Sequence, residues 1–289
     1  MATAAKKADT PGVDSSAPPH DDGGIRPKQP KASLAQRSRR DKMLWISSLA
    51  GGLLIWELVG QFIVTNRLFF APFSEVIQAL WGMAVAGTLW NDFRVTGLQV
   101  LYGLAIAIII GVAVGFAIGL NRNVRIMFRP WLNALYSTPL AALAPIFILW
   151  FGLGMGSKVA TVLVSAVFPI IINSAAGIAT TDQNLIDAAR SFGLKKSQVF
   201  VKVFAPSALA FIATGIRLAV GRGLVGAVVA ELFGAHAGLG YRVFVSQQAF
   251  QTADLLAGVL VLALTGVVAL GLVERVEHKL APWRQEVTL

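Results

Sequence analysis

The stretch TDQNLIDAARSFGLKKSQVFVKVFAP, residues 181–206, is a polar island between two long apolar runs, and it decides how the rest of the chain reads. Within it Asp187-Ala188-Ala189 is followed by Gly193, then by a basic stretch, then by Val203-Phe204-Ala205-Pro206. These residues predict a short helix over 187–202, with Thr181 or Asp182 as its cap. Acidic groups lie at its start and Lys195, Lys196 and Lys202 near its end, as the helix dipole favours. Gly193 permits a tight bend. Ala188 and Ala189 are small enough for another protein's groove to close over the backbone, with Phe192, Val199 and Phe200 as apolar anchors. A folded helix between membrane-like runs is a docking element, and it implies a partner.

The flanks are those of a membrane protein. Of 289 residues, 55% are hydrophobic and only 14% charged, against about 25% charged in an ordinary soluble domain. Six stretches, near 44–64, 97–120, 131–152, 157–180, 206–231 and 252–274, reach the roughly 20 residues that a helix needs to cross a hydrocarbon core. The expected fold is all-α: a polytopic membrane protein with six transmembrane helices and a cytosolic coupling helix between spans four and five. An even number of spans puts both termini on one side. That side collects 19 Lys and Arg, against Arg67, Arg94, Lys158 and Arg242 on the other. Leaving out the tail, ten remain against four, so the positive-inside bias makes both termini and the 181–205 loop cytosolic. The net charge of +10 therefore reflects topology and not nucleic-acid binding.

Residues 1–42 are rich in Pro, Ser, Lys and Asp and lack apolar periodicity, which predicts a disordered basic cytosolic tail ahead of a transmembrane domain over 43–289. No apolar core follows Lys6-Lys7, so the tail does not read as a cleavable signal peptide. Residues 71–90 predict an amphipathic helix on the outer surface. Pro72 and Ser74 start it, Val76, Ile77, Leu80, Met83 and Ala84 recur at helical spacing, and Trp81, Trp90 and Phe93 suit a headgroup boundary. A loop packed back on the bundle is the competing reading.

Charges at bilayer depth cost about 2.5–3.5 kcal/mol each, so each needs a reason. Arg217 and Glu231 in the fifth span lie about 40° from one face and about 21 Å apart along the axis. Both could look into the bundle, where Arg217 could attract an anion, or Arg217 could pair with a carboxylate and Glu231 anchor the outer end of the span. Arg222 lies nearly opposite Glu231, and Glu57 reads as an interfacial or packing residue. Gly111, Gly115 and Gly119 form small-xxx-small steps for close helix approach. Pro139, Pro145 and Pro169 interrupt their helical ladders, and such kinks can open a midplane cavity. The absence of cysteine and the three scattered histidines offer no thiol nucleophile and no metal-ligand spacing. No phosphate-binding Gly-x-x-x-x-Gly-Lys-Ser/Thr sequence occurs either. A catalytic or metal centre on this chain is therefore not expected.

The order Asp187-Ala-Ala, Gly193, Val203-x-Ala205-Pro206 resembles the cytosolic "EAA" loop of membrane subunits of ABC importers, with Asp187, Val203 and Ala205 standing for Glu, Ile and Leu. From about residue 44 onward, further motifs are similar to the nitrate, sulfonate, taurine and bicarbonate branch, which also includes permeases for vitamin-precursor pyrimidines. They are Pro139, Pro145, Trp150-Phe151-Gly152-Leu153-Gly154, Phe168-Pro169 with Asn173, Gly215-Ile-Arg217, and Ala230-Glu231-Leu232 before Gly238-Leu-Gly240. The resemblance implies a permease of the bacterial inner membrane that moves a small, anionic solute by alternating access. ATP and Mg would then be handled by a separate cytosolic ATPase dimer docked at Asp187, Ala188, Ala189, Phe192, Gly193, Val203 and Pro206. It also implies an extracytoplasmic substrate-binding protein and a second permease copy. Arg217, Glu231, Pro139 and Asn173 are the candidates for the translocation path. An ion-coupled secondary transporter is the rival expectation, though neither an internal repeat nor carboxylates deep in several spans are evident.

Overall fold

A computed structural model describes residues 31–280, and all regular structure among them is helical. The expected tail over 1–42 lies outside the described residues up to 30, and from Lys31 the chain is helix. Two compact units divide the chain at Gly52 and Leu53. The first holds helix α1 (Lys31–Leu58) as far as Gly52 and exposes Met43, Leu44, Trp45 and Ile46. Helix α1 ends in a π-turn, Val59–Ile63. The second unit then contains α2 (Phe73–Val85), α3 (Thr88–Leu120), α4 (Arg122–Ser137), α5 (Leu140–Phe151), α6 (Met155–Ala179) and α7 (Gln183–Ser191). Next come α8 (Lys196–Val199), a second π-turn (Phe200–Phe204), α9 (Ala205–Leu232), α10 (Leu239–Gln248) and α11 (Thr252–Leu280).

Five helical stretches are long and apolar enough to cross a membrane: Met43–Ile63, Thr88–Leu120, Met155–Ala179, Lys196–Leu232 and Thr252–Glu277. The sixth departs from expectation. The run 131–152 is not one helix but a pair, α4 and α5, meeting at 94°. Thr138 and Pro139 make the break, with ψ values of 129° and 115°. A proline disfavours helical geometry in the residue before it and brings no N–H of its own. Pro145 and Pro169, by contrast, lie inside continuous helices.

Helix α6 is the central post, packed between α3 and α9 around Ala107, Ile118, Ala166, Ile170, Ile171 and Ala219. Gly111, Gly115 and Gly119 form the α3 side of that contact. A Cβ would stand 2.7 Å from Ile170 Cγ2 at Gly111, 2.8 Å from the Ile171 carbonyl at Gly115, and 2.7 Å from Ile178 Cβ at Gly119. The same four-residue stripe runs back through buried Ala107 and Gly103. Dispersion between closely approached backbones holds such a pair where lipid supplies no hydrophobic drive.

Helix α2 occupies the segment expected to be amphipathic. Its Val76 and Met83 are buried with Ala71 and Ala257, so one face packs on α11 while Trp81 stays exposed. Glu57 sets the start of α2 by accepting from the Ser74 N–H at 2.9 Å and the Ser74 hydroxyl at 2.8 Å. It therefore acts as a helix cap supplied from a neighbouring element.

Candidate functional site

The polar island folds as two helical pieces and not as one helix over 187–202. Asp182 begins α7, accepting from the Asn184 N–H at 2.9 Å. Helix α7 closes at Gly193, whose φ of +74° lies in the left-handed region. The Gly193 N–H donates to the Arg190 carbonyl at 2.9 Å and the Leu194 N–H to the Ala189 carbonyl at 3.2 Å. This is the Schellman arrangement, which an L side chain at Gly193 would strain. Gln198 then caps α8 by accepting from the Lys195 N–H at 2.8 Å.

The loop carries its own small core. Ile186, Ala189 and Val199 are buried, with Leu194, Val203 and Phe204 packed against them. This corrects two of the three expected anchors, because Val199 is inside the loop and Phe200 stacks edge-on against Phe116 at 5.4 Å. Ala189 likewise faces inward, whereas Asp187 and Ala188 are exposed. Phe192, 84% exposed beside the Gly193 turn, is the anchor left free. Asp187 is held by Gln183 at 2.9 Å and faces Arg190 at 3.8 Å.

Past the loop the helix does not stop. The π-turn Phe200–Phe204 joins α8 to α9, and the Ala205 N–H reaches back to the Phe200 carbonyl. Pro206 sits in the first turn of α9, where the wider π-turn has already set aside the regular ladder that a proline would break. The fifth span therefore begins at Lys196, ten residues ahead of the expected 206.

Inside the bundle, each of the four expected path residues is tied locally, and no hydrogen bond or ion pair joins any two of them among the described residues. Arg217 pairs with Glu277 of α11 at 2.6 Å and approaches Glu274 at 3.7 Å. Asn173 donates to the Pro169 carbonyl of its own helix at 2.8 Å. Pro139 is the break residue between α4 and α5.

Glu231 is buried in a staple. It accepts from the Thr96 hydroxyl at 2.7 Å and the Gly240 N–H at 2.7 Å. Thr96 accepts in turn from the Leu239 N–H at 2.8 Å, and Asp92 takes the Gly238 N–H at 2.9 Å and Arg242 at 2.8 Å. Two carboxylates and one hydroxyl thus satisfy the free N–H groups that open α10, a site where negative charge is favoured. Gly240 is small by necessity, since a Cβ there would stand 2.9 Å from Glu231 Oε2. Lys158, also buried, ties the Leu153 and Gly234 carbonyls together beside it. Asp92 and Thr96 escaped sequence reasoning because their partners lie far along the chain, as does Gly234, one of the two partners of Lys158.

The family profile described as "Binding-protein-dependent transport system inner membrane component" matches residues 103–282. Among curated relatives, the putative aliphatic sulfonates transport permease protein SsuC of Bacillus subtilis is 30% identical, with 90% of this chain and 96% of the relative covered. The taurine transport system permease protein TauC of Escherichia coli is 32% identical over 86% of this chain and 96% of its own length. The formylaminopyrimidine transport permease protein ThiX of Halalkalibacterium halodurans is 31% identical over 81% of this chain and 93% of its own. A solved structure of the MetNI methionine ABC transporter in inward-facing conformations aligns with a TM-score of 0.56. It shares 17% identity and covers 68% of this chain and 95% of that one.

Proposed function

Because this chain belongs to the family of binding-protein-dependent transport inner-membrane components, and is thus a permease subunit of an ABC importer, we propose that residues 182–206 are its seat for a separate ATPase. The observation that carries the reading is Phe192: a large apolar side chain, 84% exposed, at the tip of a loop stiffened by its own core and continuous with the fifth span. An exposed aromatic beside a rigid turn is the kind of anchor that fills a partner's pocket. ATP and Mg are bound by that partner, and this chain contributes motion and a path.

In this reading the permease lies in a bacterial inner membrane with both termini in the cytosol. It pairs with a second copy and receives solute from an external binding protein. Closure of the ATPase pair pushes on 182–206, and the helix running on to Leu232 carries the displacement into the bundle, which alternates between inward and outward access. The solute is a small organic anion of the sulfonate or taurine kind. The names of SsuC and TauC support it, while the ThiX name keeps a formylated pyrimidine as the alternative.

Phe192→Asp tests the docking surface without touching the fold. The variant should insert and accumulate normally, yet co-purify with far less of the ATPase and support no ATP-dependent uptake. Undiminished ATPase recovery with full uptake would rule the loop out as the seat.

A further inference from the structure

Arg217 is neutralised by Glu277, so the fifth span's other arginine, Arg222, is left as a cation at bilayer depth with no carboxylate within ion-pair distance among the described residues. An arginine there costs about 2.5–3.5 kcal/mol to insert and is kept where it faces a partner or a water-filled cavity. Arg222 is exposed, lies 4.0 Å from the centre of the Tyr136 ring, and lines a cavity of about 200 Å³. Thr138, at the break between α4 and α5, and Ser165 bring hydroxyls to the same cavity, and Phe168 and Leu143 supply apolar wall. The Ser165 hydroxyl donates to the Val162 carbonyl at 2.7 Å and that of Thr138 to the Ala134 carbonyl at 3.0 Å, so both protons are held by backbone carbonyls and the guanidinium of Arg222 supplies the donors of the site.

We propose that Arg222 is the anion-recognising residue of this permease, and that the cavity beside Tyr136 is a subsite for a small monoanionic headgroup of the sulfonate type. The guanidinium offers a planar fork of donors that matches oxyanion geometry, and the ring face holds the cation in place without neutralising it. A carboxylate partner would have cancelled the field, as it does at Arg217. The cavity is smaller than the usual 300–1,000 Å³ of a ligand pocket, as suits a subsite that takes a headgroup alone. The proposal rests on the transport reading and adds to it the residue and subsite that would recognise the solute, and its test does not depend on the ATPase.

The chain contains no cysteine, so one introduced thiol reports alone. Ser165→Cys, with Thr138→Cys as a second reporter, is made in the full-length protein in membrane vesicles. Each is labelled with 2-sulfonatoethyl methanethiosulfonate and with its trimethylammonium counterpart, with and without ethanesulfonate. With Arg222 present the anionic reagent should react faster and ethanesulfonate should protect. Arg222→Gln should slow the anionic reagent by about tenfold, the low end of electrostatic steering, and abolish protection, while leaving the cationic reagent no slower. Arg222→Lys should retain part of the preference. Thiols unreactive toward both reagents, or anionic rates indifferent to Arg222→Gln, would overturn the proposal. Loss of ATPase association in the parent chain would instead count against the docking loop and leave these labelling rates unchanged.

Discussion

Thr96 shows how much one hydroxyl can hold. It donates to Glu231 and accepts from the Leu239 N–H, so it links α3, α9 and α10 at one point. Thr96→Val keeps the volume and strands both partners in a buried site, a cost of about 1–3 kcal/mol. Purified protein should lose thermal stability, at about 2–4 °C per kcal/mol, while Thr96→Ser should stay close to the parent. A loss in Thr96→Ser with none in Thr96→Val would assign the role of Thr96 to its methyl group. Glu231 and the glycines at 238 and 240 stood out in the sequence as a motif, and the staple gives them a physical reason. Thr96 did not, because a threonine on an apolar helix looks ordinary and its partners are 135 and 143 residues away. Arg217 and Arg222 show the same limit: helical spacing gives their faces, but only the fold shows which of them meets Glu277.

Among elements, the α3–α6 contact was the most legible, since small residues four apart on one helix mark a close approach whatever lies opposite. Gly115→Leu would drive a branched side chain into Ser174 and the Ile171 carbonyl and should prevent stable accumulation in the membrane. Gly97, on the same helix, has nothing within 4 Å of a would-be Cβ. Gly97→Ala should therefore be neutral or stabilising by up to about 1 kcal/mol. Quantitative immunoblots of membrane fractions compare the two, and equal accumulation would remove the packing role. The bend in the third span was less legible. Hydropathy reports how apolar a run is and is blind to its direction, and three prolines offered themselves where only Pro139 breaks a helix. The expected anchors Val199 and Phe200 failed for a related reason: apolarity alone does not say whether a side chain faces a partner or its own loop.

For the whole molecule, the class and five of the six expected spans followed from composition and length, and the bent pair α4–α5 stands where the sixth was expected. Sidedness is a matter of charge. Alkaline phosphatase fused after residue 289 or at Asn121, between α3 and α4, should be inactive, and fused at the 233–238 turn active. Activity at the C-terminus would invert the orientation and remove the loop from the ATPase's reach. A simpler consequence follows from the length of the fifth span. Its 37 residues, Lys196–Leu232, make a rod of about 55 Å, against a hydrocarbon core of about 30 Å. Even a tilt of about 40°, the steepest commonly seen, leaves roughly 10 Å of overhang. Overhang at the Lys196 end would set Phe192, four residues ahead of the rod, clear of the lipid, where the docking proposed for the loop needs it.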